Sequence, residues 1–146
     1  MSLFKNLFSK KLISSFEKVT LRLSGMRHVT EYEIVMKDGM AEISQYGIRF
    51  SEGKDSRVPE KRAVCGEQTA LKLMNDCRLL SWDGFHGPHP KGVRDGTTFI
   101  LRATVNGDKT VGASGSRNFP PRFRDFTDGL RDILDGARED QTEGTK

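Results

Sequence analysis

The sequence predicts an α+β domain, in which an antiparallel sheet of about five strands has its helices packed on one face. Three observations carry this prediction. About five runs alternate apolar and polar residues, which is the period of a half-buried strand. The pairs Asp38-Gly39 and Asn106-Gly107 are strong hairpin turn signals between such runs. Apolar stripes at helical spacing lie around them, which gives the order α-β-β-β-α-β-β-α.

The N-terminal half opens with an amphipathic helix, which is expected over residues 3–16 because apolar residues recur there at helical gaps. Strands are then expected at 19–24, 31–37 and 40–50. Gly47 indicates a bulge or a turn in the third of these strands. The polar residues 51–59 indicate a loop before the next element.

A second helix is expected from Pro59, which suits a first helical turn, to about Arg78. Its core-facing seam is the series Gly66, Ala70, Leu73, Cys77 and Leu80. Residues 82–92 are dense in Gly and Pro and are expected to be irregular.

The C-terminal part predicts a hairpin followed by a helix. The hairpin strands are expected at 97–105 and 109–113, and the helix opens at Pro120-Pro121. An amphipathic stripe in this helix comprises Phe123, Phe126, Leu130, Ile133 and Leu134. Because Gly136 suits a C-cap, a single domain is expected over residues 1–136 and a disordered polar tail over 137–146.

The composition excludes several classes of protein. No apolar run approaches the roughly 18 residues of a membrane span. Lys5, Lys10 and Lys11 interrupt any apolar core of a secretory signal. Cys65 and Cys77 are too few for a disulfide scaffold, and on one predicted helix they would lie about 18 Å apart, too far to pair. A soluble protein in a reducing compartment, the cytoplasm, is therefore expected.

Three short motifs follow one another within residues 60–135: a Trp-Asp-Gly-Phe loop, an Asp-Gly pair and a Gly-Ser-x-Asn-x-Pro stretch. They stand at residues 82–85, 95–96 and 115–120. The pattern resembles that of an uncharacterised family of small bacterial α+β domains. The resemblance implies a compact bacterial α+β domain and implies no activity.

The same segments supply a candidate ligand or partner surface. Trp82 and Phe85 are the most distinctive apolar pair outside the predicted helices and strands. They either plug the end of the core, which is the favoured interpretation, or line a recognition surface. The candidate surface comprises Trp82, Asp83, Phe85, Arg117 and Asn118.

A metal site is the enzymatic alternative in this region. His86 and His89, supported by Asp83 or Asp95, are the residue types that bind divalent metals. The two Asp-Gly pairs are more simply explained as turns, because an Asp side chain can bond its own backbone two residues on.

No other constellation predicts catalysis or a cofactor. The chain has neither a Gly-x-Ser-x-Gly nucleophile elbow nor a phosphate-binding loop ending in Gly-Lys-Ser/Thr. The sequence therefore favours a non-catalytic binding or protein-interaction module, with the metal-dependent enzyme as an alternative.

Two anionic partners are further alternatives. Residues 91–124 are basic, and Arg102, Lys109, Arg117, Arg122 and Arg124 are the candidates for contacts with nucleic acid. Such binding is expected to be weak and non-specific, because exposed aromatic residues for base stacking are scarce.

The N-terminal segment suggests the other partner, an anionic membrane surface. Phe4, Leu7 and Phe8 with flanking lysines have the composition of an interfacial helix. Packing of this helix on the domain is the favoured interpretation, because a domain of this size gains stability from the added apolar burial.

Overall fold

Seven strands form one sheet in the computed structural model, which describes residues 12–25, 28–88, 91 and 97–144 and, over 137–144, the helical backbone alone. The strands are β1 (Phe16–Ser24), β2 (Val29–Lys37), β3 (Met40–Ser51), β4 (Lys54–Gly66), β5 (His86–Gly87), β6 (Thr98–Val105) and β7 (Lys109–Ser116). The helices of this described part are α1 (Glu67–Asp76), a 3₁₀ turn (Leu79–Trp82) and α2 (Phe123–Gly144). The predicted α+β class is confirmed, with seven strands in place of about five.

The strand order in the sheet is β4-β3-β2-β1-β6-β7-β5. Neighbouring strands are antiparallel except for the short β5, which runs parallel to β7. Strands β1 to β4 form a meander, and the β6–β7 hairpin is added on the other side of β1. Strand β1 is therefore central, and its Val19 and Leu21 are buried.

The helices pack on one face of the sheet, which we call the inner face. Phe99 and Leu101 on β6, Ile34 on β2 and Ile43 on β3 point to this face and are buried. The strand alternation predicted for these residues is confirmed. The predicted stripe of the last helix is confirmed as well, since its buried members are Phe123, Phe126, Leu130 and Leu134.

Two-residue turns with left-handed backbone connect the hairpins. Both residues have positive φ in Asp38-Gly39 (54° and 80°) and in Asn106-Gly107 (52° and 93°), as the turn signals predicted. A third turn of this kind, Glu52-Gly53 (53° and 76°), joins β3 to β4. The loop predicted over residues 51–59 is therefore wrong, because most of that stretch is strand.

Residues 59–66 are the main correction to the predicted elements. The sequence predicted a helix from Pro59 to about Arg78, whereas β4 continues to Gly66 and α1 begins directly after it. Pro59 pairs with Tyr46 at a bulge of this edge strand. Edge strands and bulges are the places where a sheet tolerates a proline.

The two cysteines consequently lie on different elements. Cys65 is on β4 and half-buried, whereas Cys77 is the buried residue after α1. The prediction that one helix carries both is wrong. Both thiols are free, and burial raises the pKa of each. A raised pKa disfavours the thiolate, so neither cysteine has the environment of an activated nucleophile.

The described end of the predicted N-terminal helix is not helical. Residues 12–15 are irregular, and β1 begins at Phe16. Ile13 and Phe16 are nevertheless 2% and 4% exposed, so this end of the segment packs in the core. Asn75 holds it in place, because its Oδ1 accepts the N–H of Ile13 at 2.8 Å and its Nδ2 donates to the Ile13 carbonyl at 3.0 Å. Asn106 Oδ1 accepts a second N–H of the segment at 2.7 Å.

Phe4, Leu7 and Phe8, the predicted membrane contacts, lie outside the described residues. Their packing or membrane contact stays a prediction. Within the described chain, no helix is long and apolar enough to cross a membrane.

The last helix differs from the prediction at both ends. It begins at Phe123 rather than at Pro120-Pro121, and it continues through Gly136 to Gly144. Gly136 is therefore not its C-cap. The tail expected over residues 137–146 stays a prediction.

Candidate functional site

The Trp-Asp-Gly-Phe segment lies beside β7 and closes one end of the core. Trp82 is 1% exposed, and its ring centroid lies 5.7 Å from those of Phe123 and Phe126. Its indole Nε1 donates to the carbonyl oxygen of Pro121 at 3.1 Å. Trp82 therefore plugs the core, as the favoured interpretation predicted, and its ring presents no surface to a partner.

The next three residues occupy the free edge of β7. Asp83 Oδ1 accepts the N–H of Gly112 at 3.0 Å, and the N–H of Gly84 donates to the Gly112 carbonyl at 2.8 Å. The N–H of Ser114 donates to the carbonyl of Phe85 at 3.0 Å. Asp83 therefore bonds across to β7, in addition to standing in a turn. These contacts occupy groups that would otherwise be open to an added strand.

The rest of the predicted partner surface forms the corner between β7 and α2. Phe85 is half-buried, with its ring centroid 6.1 Å from that of Phe99. Arg117 is exposed and has a left-handed backbone, and its N–H donates to the Thr97 carbonyl at 2.9 Å. Asn118 is exposed beside them. The structure thus brings these residues together around backbone contacts that shape the corner.

The residues of the metal alternative are only partly described. His86 is exposed on β5, and Asp83 Oδ2 lies 3.7 Å from Lys109 Nζ. His89 and Asp95 lie outside the described residues, so this alternative stays a prediction. Among the residues that the structure does describe, no group of three or more His, Cys, Asp or Glu side chains is placed to hold an ion.

A groove of about 610 Å³ lies where α2 begins beside the ends of β1 and β6. Two of its three arginines are matched by carboxylates of α2: Arg122 Nε is 3.0 Å from Asp125 Oδ2, and Arg131 Nη1 is 3.5 Å from Asp128 Oδ1. Arg131 Nε also donates to the hydroxyl of Tyr32, and this hydrogen bond raises the pKa of Arg131. The groove is therefore largely charge-compensated by its own residues.

The face of the sheet away from the helices, the outer face, has two different halves. On the β2–β4 half, charged side chains neutralise one another. Arg57 Nη2 lies 3.3 Å from Glu33 Oε2 and 3.6 Å from Glu31 Oε1, and the guanidinium stacks 3.8 Å above the ring of Tyr46. These contacts cover this half of the outer face with a layer of paired charges.

The half formed by β1, β6 and β7 is cationic, and we call it the cationic face. Residues 18–24, 98–105 and 109–116 contain no Asp or Glu. Side chains alternate between the two faces of a strand, so those between the buried residues point outward. A shallow groove of about 490 Å³ crosses this face, and its outward-pointing lining comprises Lys18, Thr20, Arg102, Thr104, Thr110 and Gly112.

An exposed apolar residue lies on the cationic face. Ile100 on β6 is 48% exposed, although it stands inside a strand. Its cross-strand neighbours are Arg22 on β1 and Ser114 on β7. Arg102 follows two positions later on the same face, and no described residue forms an ion pair with its guanidinium. An apolar side chain is thus surrounded by cations and small polar groups.

The positions of the basic residues along the chain do not predict the cationic face. The structure separates them: Arg102 and Lys109 belong to the β6–β7 hairpin, whereas Arg122 and Arg124 lie beside the start of α2. The sequence of β6 nevertheless contains a signal for this face. Ile100 stands between the inward residues Phe99 and Leu101, and the strand around it contains no acid.

No family model, curated protein or solved structure matches the chain. The resemblance of the Trp-Asp-Gly-Phe pattern to small bacterial domains stays a prediction.

Proposed function

We propose that this protein is a non-catalytic interaction module whose cationic face binds an acidic segment of a partner protein. The observation that supports it most is the separation of charge on the outer face. The acids Glu31 and Glu33 lie on β2 beside Arg57, whereas residues 18–24, 98–105 and 109–116 of the cationic face contain no acid. Lys18 lies 3.5 Å from Glu33, and Arg22 lies 3.4 Å from Asp55. Arg102 is the cation of this face that no described carboxylate pairs, so a carboxylate of a partner would meet it with little repulsion.

The shape of the face also suits a protein partner. Arginine is enriched in protein interfaces and among the residues that contribute most to binding, and an exposed aliphatic side chain beside it offers apolar area to bury. Ile100 supplies the aliphatic side chain, and Arg22 and Arg102 flank it. The neighbouring Thr, Ser and Gly residues are small, so a partner can approach the backbone of the sheet closely.

Nucleic acid has weaker support on this face. Base stacking requires accessible aromatic rings. On the outer face of the described sheet the aromatic residues are Tyr46 and Phe50 on β3. Arg57 covers the ring of Tyr46, so Phe50, 66% exposed, is the one accessible ring of this face and gives no series of stacking rings. A cytoplasmic location belongs to the same proposal, and the two free cysteines support it.

A titration of the full-length protein with a Glu-rich peptide that carries one central Leu tests the proposal. Amide chemical shifts measured by NMR report both the affinity and the contacted residues. We expect shifts centred on Thr20, Ile100 and Arg102. Arg102→Glu should weaken binding about tenfold, because it replaces an attraction with a repulsion at the centre of the face.

Lys72→Glu is the matched control. It makes the same change of charge on α1, where the Lys72 side chain is 75% exposed and points away from the cationic face. Its effect should stay within about twofold. Equal losses in the two variants, or equal binding of a peptide with Gln in place of Glu, would contradict the proposal. Tighter binding of oligothymidylate with the same dependence on Arg102 would assign the face to nucleic acid.

Metal analysis tests the enzymatic alternative separately. Protein purified without chelator is assayed for bound metal, and the double variant His86→Ala, His89→Ala is assayed beside it. Stoichiometric metal that the double variant loses would favour the metal-dependent enzyme over the interaction module.

A further inference from the structure

Strands β3 and β4 extend beyond the sheet as a two-stranded arm. The pairing of β2 with β3 ends at Thr30 and Gly47, whereas β3 and β4 remain paired as far as Ser51 and Lys54. In the described structure no third strand pairs with residues 48–58, which we call the arm. Long two-stranded ribbons twist strongly, so the arm is free to bend out of the plane of the sheet.

The arm bends over the outer face. Ile48 points to that side, yet it is only 8% exposed. Asp55 lies on β4, three strand spacings from β1 in the sheet order, which is about 14 Å in a flat sheet. Its Oδ2 is nevertheless 3.4 Å from Nη2 of Arg22 on β1. An arm that curls back across β2 accounts for both the burial of Ile48 and this ion pair.

The curled arm places a carboxylate of the chain itself at the border of the cationic face. Arg22 lies on β1 between Ile100 of β6 and Glu31 of β2, where the cationic face meets the other half of the outer face. We infer that in the free protein Asp55 binds Arg22 in the way that a carboxylate of the partner would. By this contact Asp55 determines which acidic segments the cationic face binds. The inference rests on the proposed function. A partner segment with few carboxylates fails to displace Asp55 from Arg22. A segment with many carboxylates displaces Asp55, releases the arm and binds Arg22.

The exposure of the pair sets the size of the effect. The side chains of Arg22 and Asp55 are 36% and 50% exposed, so solvent screens their attraction. An exposed ion pair of this kind changes an equilibrium by about fivefold at most. The contact is therefore weak enough to open on binding and strong enough to change the affinity measurably.

Asp55→Asn in the full-length protein tests the inference with the Glu-rich peptide as the probe. Removal of the competing carboxylate should raise the affinity two- to fivefold. The matched control is Asp132→Asn, which removes an exposed carboxylate from α2, on the other side of the sheet. Its affinity should stay close to that of the wild type. An equal gain in both variants would attribute the effect to net charge and would overturn the inference.

A double variant isolates the contact itself. In an Arg22→Gln background, Asp55→Asn should no longer change the affinity, because the cation that Asp55 occupies is gone. If Asp55→Asn has no effect in the wild type while Arg102→Glu still weakens binding, the inference is wrong and the proposed function stands. If the wild type does not bind the peptide at all, the proposed function is wrong and the inference fails with it.

Discussion

At the residue scale, Gly115 is a position where a side chain has no room. A Cβ there would overlap the carbonyl oxygen of Asn118 and lie 2.7 Å from a ring carbon of Phe99. The Asn118 carbonyl belongs to the backbone and the Phe99 ring belongs to the packed core, so neither can shift without a loss of stability. Gly115→Ala should lower the free energy of unfolding by about 2–3 kcal/mol, as measured by urea denaturation.

The control for this prediction lies three positions earlier on the same strand. A Cβ on Gly112 meets no atom within 4 Å, because the residue faces open solvent. Gly112→Ala should therefore change the free energy of unfolding by less than about 0.5 kcal/mol. Similar losses in the two variants would show that any side chain in β7 is harmful, which would contradict the argument from the contact with Asn118.

Trp82, Asp83 and Arg102 illustrate which contacts the sequence can predict and which it cannot. The burial of Trp82 follows from its size and its apolar ring, and it was predicted. The bond from Asp83 to Gly112 was not, because the two residues are 29 positions apart and nothing local indicates the pairing. Arg102 was recognised as basic, but a count of charge along the chain does not tell which face of the sheet a residue occupies.

At the scale of elements, the edge of β7 depends on Asp83. Asp83→Ala leaves the N–H of Gly112 without its acceptor, so the free energy of unfolding should fall by about 1 kcal/mol. The side chain is 41% exposed, and water can partly replace the lost acceptor. Hydrogen exchange at the Gly112 amide should accelerate as well.

Asp83→Asn is the matched variant for this test. It keeps an oxygen in place, so most of the protection of the Gly112 amide should remain. Unchanged exchange at this amide in Asp83→Ala would mean that Asp83 does not close the edge of the sheet.

The same scale explains the main error in the predicted elements. Central strands such as β6 alternate clearly, because one face is buried along their whole length. Strand β4 is an edge strand in which Ala63 is the one buried residue, and most of its side chains before Ala63 are polar on both faces. Because apolar and polar residues do not alternate along β4, the sequence gives no sign of a strand there. Pro59 and the apolar spacing that begins at Gly66 favour a helix instead. The start of the real helix, at Glu67, still lies within the predicted span.

For the whole molecule, the decisive contact is the pairing of β1 with β6. The hairpin turns predict antiparallel neighbours, but they do not predict which hairpins meet. Thr20 and Arg102 are 82 residues apart, and the Thr20 hydroxyl donates to the Arg102 carbonyl across this junction. The cationic face exists only because the two strands meet, and this is why local patterns did not predict the candidate site.

The N-terminal segment supplies the last prediction at this scale. Deletion of residues 1–11 keeps the Asn75 contacts and both buried side chains, Ile13 and Phe16, so any fall in the melting temperature is due to residues 1–11 themselves. Deletion of residues 1–16 removes these groups and the first residue of β1, and should lower it by about 10 °C or more. Equal melting of all three proteins would show that Ile13 and Phe16 add nothing to the core. A marked loss in the shorter deletion would show that residues 1–11 pack on the domain. If that deletion melts unchanged and no longer floats with phosphatidylserine vesicles that the full-length protein binds, the segment is a membrane contact.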